Sequence, residues 1–492
     1  MSQFLFYYQR PEPATWVFMS SFVIIALFFM FHRLWSIRNL DIALLILLTP
    51  GLMFVYEGRK AEAITARLAS AAANVNEVEA NTSLSESANK PQVPIETDTT
   101  PVSVNPGSTW SGERLQYYGF AWLLGVCGLW IVRLLLDTAM VRRPLLEPNL
   151  TSGGTTFIGV SLFIFLMANV ITSPPIFQLK SGIKPGPGYD LLKLLPDIQT
   201  SPDPTLLSGA SATSNSNSLS TGNSFIRDPR IVGAARLFLI VSNLVLVLGI
   251  VAIGYWHFEN LKTGIGVATL FLLLPYAAQM TGRVDHLAPG ALMVLAVAFY
   301  RQPIVSGIML GGAAGLVFYP FFLFPLWVSF YWLRGRRRFT FGFLVAVLAM
   351  VCALVATTQE GFLSRLMQMF GTIPFAFKDL DGIWGLGWNP YFRIPVMVAF
   401  VLLSLSFVFW PAQKSLATLL SCSAAIMTAA QFCYAYGGGL YMAWFLPCAL
   451  LTVFRPNLDD CIALDVVRPL LKRKLSSKTA DPNNSKSYAE AS

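Results

Sequence analysis

Charge is what this sequence has least of. Acidic and basic residues together make up 12% of 492 positions, roughly half the share typical of soluble domains. So little polar surface cannot cover a water-soluble globule of this length. Histidine is scarcer still: His32, His257 and His286 are the three present, which argues against a histidine metal site. Six cysteines, Cys127, Cys352, Cys422, Cys433, Cys448 and Cys461, show no metal-ligand spacing. Five of them fall in apolar runs and read as small buried hydrophobes. Strand-type alternation is missing, which argues against a membrane barrel. Carboxylates are missing from the middle of the apolar runs, where proton- or sodium-driven carriers place them. On this reading no span holds a buried carboxylate, and Arg133 and Arg236 snorkel from span ends. A cleavable signal peptide is missing too. The first apolar run is followed by His32, Arg33 and Arg38 and preceded only by Arg10, a bias that fits an uncleaved anchor with its N-terminus outside.

What is present is hydrophobic, 54% of the chain, gathered in runs of roughly 17–25 residues, the length that crosses hydrocarbon as a helix. The expected fold is all-α: a polytopic transmembrane helical bundle of about 13 transmembrane helices. The spans fall at 16–35, 40–55, 117–136, 155–171, 231–256, 264–280, 286–300, 303–318, 319–333, 339–357, 394–409, 415–434 and 440–454. They divide the chain into N-terminal membrane helices (1–56), a polar, largely disordered outer loop (57–116) that opens as an Ala-rich helix, and two further membrane helices (117–171). A second outer loop, partly disordered (172–230), precedes the core membrane helices (231–357). An outer loop with an interfacial helix (358–393), C-terminal membrane helices (394–454) and a basic cytoplasmic tail (455–492) complete the order.

The net charge of +9 sits in short loops and the tail, where it fixes topology and points to no nucleic-acid partner. Arg334, Arg336, Arg337 and Arg338 mark the cytoplasmic side. Counting outward, Arg33, Arg38, Arg142, Arg143, Arg301, Lys414 and the tail around Lys472, Arg473 and Lys474 share that side. The expected location is a plasma (inner) membrane, multi-pass, with the N-terminus outside and the C-terminus cytoplasmic.

The opposite face carries the candidate chemistry. Asp190, Asp197, Asp203 and Asp228 lie in one outer joint, with Arg227, Arg230 and Arg236 nearby. The turn Gly282-Arg283-Val284-Asp285-His286 follows. A third joint offers Arg365, Lys378, Asp379, Asp381, Trp384, Trp388, Asn389, Tyr391 and Arg393. A carboxylate at a membrane surface deprotonates or orients a hydroxyl acceptor, and arginine holds a phosphate leaving group. Each of these residues is equally at home as a solvated loop charge. The stretch 362–370 reads as an amphipathic interfacial helix, and Trp384 and Trp388 as an aromatic belt. Gly307, Gly311 and Gly315 share one helix face and permit close approach of a neighbour.

The segment from about 171 to 338, and on to 454, resembles the GT-C class of membrane glycosyltransferases that use polyprenyl-phosphate sugars. The resemblance lies in Ala234-Ala235-Arg236-Leu237 after a long acidic outer joint, in Pro275-Tyr276 and Gly282-Arg283-Val284-Asp285-His286-Leu287, in Tyr300-Arg301-Gln302-Pro303, in Tyr319-Pro320 and in Tyr441-Met442-Ala443-Trp444-Phe445-Leu446-Pro447. It implies a GT-C-like core preceded by extra N-terminal helices and transfer of a sugar from a polyprenyl-phosphate-linked donor at the outer face. Asp190 and Asp197 would be the catalytic carboxylates. Arg236, Arg283 and Arg393 would hold the donor phosphate, with Asp285 and His286 as further site candidates. The implied partners are membrane lipid and the lipid-linked donor. No acidic cluster calls for a metal, and divalent-metal dependence and oligomeric state stay open. Where the family has an early acidic pair, Ser173-Pro174-Pro175 stands here. That departure keeps two other readings in view: a non-catalytic protein of GT-C-like architecture, and a lipid-linked glycan transporter or polymerase.

Overall fold

The structure, a computed structural model, describes residues 12–86, 111–140, 146–176, 195–200, 229–357, 380–434 and 437–468. In chain order the first elements are α1 (Pro13–Phe28), α2 (Ile37–Glu86), α3 (Gly112–Asp137), α4 (Ser152–Thr172), β1 (Pro175–Ile176), β2 (Asp197–Ile198), α5 (Pro229–Trp256), α6 (Leu261–Leu273) and α7 (Pro275–Met280). Then come α8 (Val284–Ala298), α9 (Pro303–Leu316), a 3-10 turn (Tyr319–Leu323), α10 (Phe324–Phe330), α11 (Arg336–Thr357), α12 (Ile383–Leu386), α13 (Arg393–Phe409), α14 (Leu416–Cys433), a second 3-10 turn (Met442–Trp444), α15 (Leu446–Phe454) and α16 (Ala463–Val466). Almost everything described is helix, as hydrocarbon demands of a backbone that must satisfy itself.

The starts of helices are written locally. Ser111, Thr151 and Asn260 cap α3, α4 and α6 by accepting from backbone N–H groups three residues on. Ser415 and Thr418 form a reciprocal capping box on α14.

Among the described residues, six helices are long and apolar enough to cross a membrane: Ile37–Thr65, Gly112–Asp137, Ser152–Thr172, Pro229–Trp256, Pro390–Phe409 and Leu416–Cys433. A multi-pass membrane protein requires such elements. Burial separates their roles. The apolar window of α14 is 89% buried, against 22% for Pro390–Phe409, so α14 is the axis of the bundle and α13 its rim. Rim side chains such as Phe18, Phe22, Leu348 and Phe409 are exposed, and a coat of lipid satisfies them where water cannot.

Several expected spans are shorter than drawn. The run 440–454 holds a 3-10 turn and the nine-residue α15, whose rise is roughly 14 Å and falls short of a crossing. The run 319–333 is likewise a 3-10 turn followed by the seven-residue α10. The run 264–280 breaks at Leu274, because Pro275 lacks the N–H that would continue α6. Conversely, α2 does not stop at Val55 but runs on to Glu86. The interfacial stretch 362–370 lies outside the described residues.

Glycine seams set the closest approaches. A Cβ at Gly311 would lie 2.5 Å from Phe343 O, and one at Gly315 2.6 Å from Met350 Cγ. The row Gly307, Gly311, Gly315 is therefore where α9 meets α11.

Polar contacts sort the connections into two ends of the bundle. At one, Arg334 donates to Leu464 O and Val467 O, Arg38 donates to Glu147 O, and Lys262 pairs with Glu147. Leu416 N–H donates to Cys461 O there as well. At the other, Arg59, toward the end of the membrane-length part of α2, pairs with Asp381, and Asp197 pairs with Arg283. We call these the Arg334 end and the Arg283 end.

The Arg334 end overturns two sequence expectations. Asp41 and Asp137 are buried carboxylates within the long helices α2 and α3. Arg133 does not snorkel: it is buried and grips Asp41 at 2.5 and 2.7 Å. It also reaches Asp137 at 3.3 Å, and Asp137 pairs in turn with Arg455 at 2.7 Å. Two aspartates and two arginines thus neutralise one another in alternation. Two smaller corrections follow from burial. Trp384 is buried and donates from Nε1 to Phe432 O, so it belongs to the interior rather than to an interfacial belt. Cys352 is exposed, although it lies in an apolar run.

Candidate functional site

The candidate site is built on a small hairpin. At the end of α4, Ser173 hands the chain to Pro174 and Pro175, whose fixed φ suits extended backbone. β1 pairs antiparallel with β2 in the register Pro175 to Ile198 and Ile176 to Asp197. Gln199 N–H adds a bond to Pro174 O at 2.9 Å, and Asn169 Nδ2 donates to Thr200 O at 3.0 Å.

The other edge of β2 is stitched to the turn between α7 and α8. Ile198 N–H donates to Gly282 O at 2.9 Å, Gly282 N–H to Thr200 Oγ1 at 3.1 Å, and Thr200 Oγ1 to Gln279 O at 2.9 Å. Only glycine fits at 282, because a Cβ would overlap Ile198 O.

This stitching carries Asp197 onto the start of α8. Its Oδ1 accepts from Val284 N–H at 3.3 Å, one of the orphan donors of that helix, where a carboxylate is favoured. Its Oδ2 lies 3.3 Å from Arg283 Nε, and Arg283 Nε lies 3.5 Å from Asp285 Oδ1. Both aspartates are buried, whereas the Arg283 side chain is 34% exposed. One partly solvated cation is therefore straddled by two dry carboxylates.

His286 sits behind this group. Its Nδ1 is 2.8 Å from Tyr276 Oη, and its ring stacks on Tyr441 with centroids 4.1 Å apart. Trp444 Nε1 donates to Asp285 O at 3.2 Å. Tyr441 is placed by Gln431, a buried amide on the axial α14, whose Oε1 accepts from Gly439 N–H and Tyr441 N–H and whose Nε2 donates to Tyr441 O. Tyr319, Tyr434 and Trp444 extend the aromatic cluster.

Beside Arg283 lies a cavity of about 80 Å³, room for several waters. Arg59 and Tyr56 of α2, Gln199 and Thr200 beyond β2, and Gln279 give it a polar wall.

Of the expected phosphate-binding arginines, Arg283 alone lines this cavity. Arg236 is nearby through its donation to Ser173 O at 2.9 Å, and among the described residues it has no carboxylate partner. Arg393 heads α13 and donates to Cys433 O at 2.9 Å, so it braces α14 instead. Asp197, Asp285 and His286 come together with Arg283. Asp190 lies outside the described residues, as do Asp203, Asp228, Arg365, Lys378 and Asp379. Among the described residues, no group of three or more His, Cys, Asp or Glu side chains lies together as metal ligands do.

The sequence reading missed Arg59, Tyr276, Gln431 and Tyr441 as parts of the site. A lone glutamine in the apolar run 415–434 was the one available signal.

Compared with known proteins, the chain matches no family model, no curated protein and no solved structure.

Proposed function

We propose that this chain is a membrane glycosyltransferase of GT-C-like architecture with about 13 membrane segments. In this reading the Arg283 end faces outward, and a sugar passes there from a polyprenyl-phosphate-linked donor to an acceptor. The observation that carries the reading is the meeting of Asp197, Arg283, Asp285 and His286 at an end of the bundle, with Arg283 lining a cavity there.

The chemistry is a displacement at the anomeric carbon. A carboxylate takes the acceptor's hydroxyl proton, the oxygen attacks the sugar, and the bond to the phosphate oxygen breaks. The phosphate leaves with the electron pair, which a guanidinium stabilises. Arg283 is the guanidinium best placed to do this. Asp197 already accepts from Val284 N–H and is ion-paired with Arg283, so both its oxygens are engaged, which suits it to holding Arg283. That assigns the base role to Asp190 in the same connection. A lipid-linked glycan transporter would have to part the Arg334 end, where the buried Asp41–Arg133–Asp137–Arg455 network ties α2 and α3 to the segment after α15. The engaged oxygens of Asp197 favour, as a second reading, a non-catalytic protein of the same architecture.

The deciding measurement is release of polyprenyl phosphate from polyprenyl-phosphate sugars by the purified protein in lipid. Wild type should turn over one donor, and Asp190→Ala should fall by about 10²-fold or more. If wild type turns over none of them, the non-catalytic reading stands. Equal rates for the two proteins would remove Asp190 from the mechanism.

A further inference from the structure

Helix α2 precedes the GT-C-like core, yet it reaches the cavity. Arg59, near the end of the membrane-length part of α2, lines the same cavity wall as Arg283, which stands at the start of α8. In the structure Arg59 Nη2 pairs with Asp381 Oδ2 at 3.1 Å, and the two side chains are 29% and 49% exposed. Asp381 comes from the segment before α12, and its Oδ1 accepts from Gly382 N–H at 2.7 Å.

We propose that Arg59 is an anion-binding arm of this cavity, that its ligand is a phosphate group, and that Asp381 is an internal stand-in holding the arm until the phosphate arrives. The proposal rests on the membrane-boundary site described above but not on turnover there.

Four observations carry it. Guanidinium presents the same paired N–H fork to carboxylate and to phosphate, so one can replace the other without rebuilding the arm. The pair that must open is solvated, at 29% and 49% exposure, and such pairs are weak. The wall beside both arginines carries the neutral side-chain amides of Gln199 and Gln279, and the cavity has the room. Exchanging Asp381 for a singly charged phosphodiester also leaves the charge around Arg59 unchanged, so no new charge must be buried.

The test is binding to the full chain in detergent micelles, with polyprenyl phosphate, inorganic phosphate and uncharged polyprenol as probes. Arg59→Gln should weaken polyprenyl phosphate by about 10-fold or more, in line with loss of a charge-assisted bond. Asp381→Asn should tighten it several-fold, because the competing carboxylate is gone; a gain of binding cannot come from misfolding. The exchange Arg59→Asp with Asp381→Arg should restore the ion pair and the melting temperature but leave binding as weak as in Arg59→Gln. Polyprenol should bind all four proteins alike. Inorganic phosphate competing with the lipid would identify free phosphate as a ligand of the same arm, and failure to compete would identify the lipid headgroup. Unchanged binding in Arg59→Gln, weaker binding in Asp381→Asn, or binding restored by the exchange would each reduce the pair to a structural latch. Binding with this pattern but without sugar release would remove the glycosyltransferase reading and leave the anion arm.

Discussion

The two ends of the bundle hold similar charges in opposite ways. At the Arg334 end, Asp41, Arg133, Asp137 and Arg455 are all buried, and their shortest contacts are 2.5 to 3.3 Å. Each charge has an opposite neighbour on another helix or segment. At the Arg283 end the pairs are 3.1 to 3.5 Å, and Arg59 and Arg283 are about one-third exposed beside a cavity. The rise of α2 between Asp41 and Arg59 is roughly 27 Å, close to the thickness of hydrocarbon. One helix therefore carries a closed ionic staple at one boundary and an open, exchangeable arm at the other. Closed networks fasten helices; open ones are available to a ligand.

The largest expected effect breaks the staple. Arg133→Met removes the two-bond guanidinium partner of Asp41 from a dry interior and should cost about 3–5 kcal/mol. Arg59→Gln at the other end should cost about 1 kcal/mol or less. Denaturation in matched micelles compares them directly. Adding Asp41→Leu to Arg133→Met should recover much of the loss, because the buried carboxylate that lost its guanidinium is gone. Comparable losses for Arg133→Met and Arg59→Gln would erase the contrast between the ends.

That contrast was only half legible in the sequence. Arg133 and Asp137 are four residues apart and visibly share a helix face. Asp41 and Arg455 complete the network from remote segments, and no local pattern announces them, so Arg133 alone reads as a snorkelling side chain. At the Arg283 end, the turn 282–286 and the acidic joint were legible separately. What joins them is a two-residue hairpin and the missing Cβ of Gly282, features too short to leave a period. The long helices were legible because hydrocarbon imposes a length; α10 and α15 were not, because interior helices packed among others owe no such length. The row Gly307, Gly311, Gly315 was legible because a packing seam repeats every four residues.

A smaller effect probes the dry interior of the Arg334 end by pH. His257, just after α5, is buried, and Nε2 lies 2.8 Å from Ala298 O. Burial pushes its pKa down to about 4, and the nearby Arg301 charge acts in the same direction. His257 is a base whose folded value lies below its unfolded one near 6.5. Between pH 6.5 and about 4 the unfolded chain binds the extra proton, so the fold loses stability as pH falls. The full loss is about 3 kcal/mol. His257→Gln keeps a donor for Ala298 O and should flatten the pH dependence of unfolding in that window. A wild-type curve already flat there would mean that the ring is hydrated in the native state.

The smallest effect separates burial from position. Glu147 and Lys262 also belong to the Arg334 end, paired at 2.9 Å, but their side chains are 43% and 32% exposed. The hydrogen bond from Lys262 holds the Glu147 carboxyl below its usual value, with help from Asn260. A carboxylate with a depressed folded pKa stabilises above its unfolded value and loses that contribution as pH falls through the folded one. The window therefore lies below that of His257, and solvent screening keeps the sum to a few tenths of a kcal/mol. Glu147→Gln should accordingly shift the unfolding midpoint barely at neutral pH and not at all at the acid end, and added salt should weaken the difference further. If burial decides what an ion pair does here, Glu147→Gln will resemble Arg59→Gln at the far end of the molecule and not Arg133→Met at its own. A cost for Glu147→Gln near that of Arg133→Met would mean that the Arg334 end as a whole, rather than its dry network, fastens the bundle.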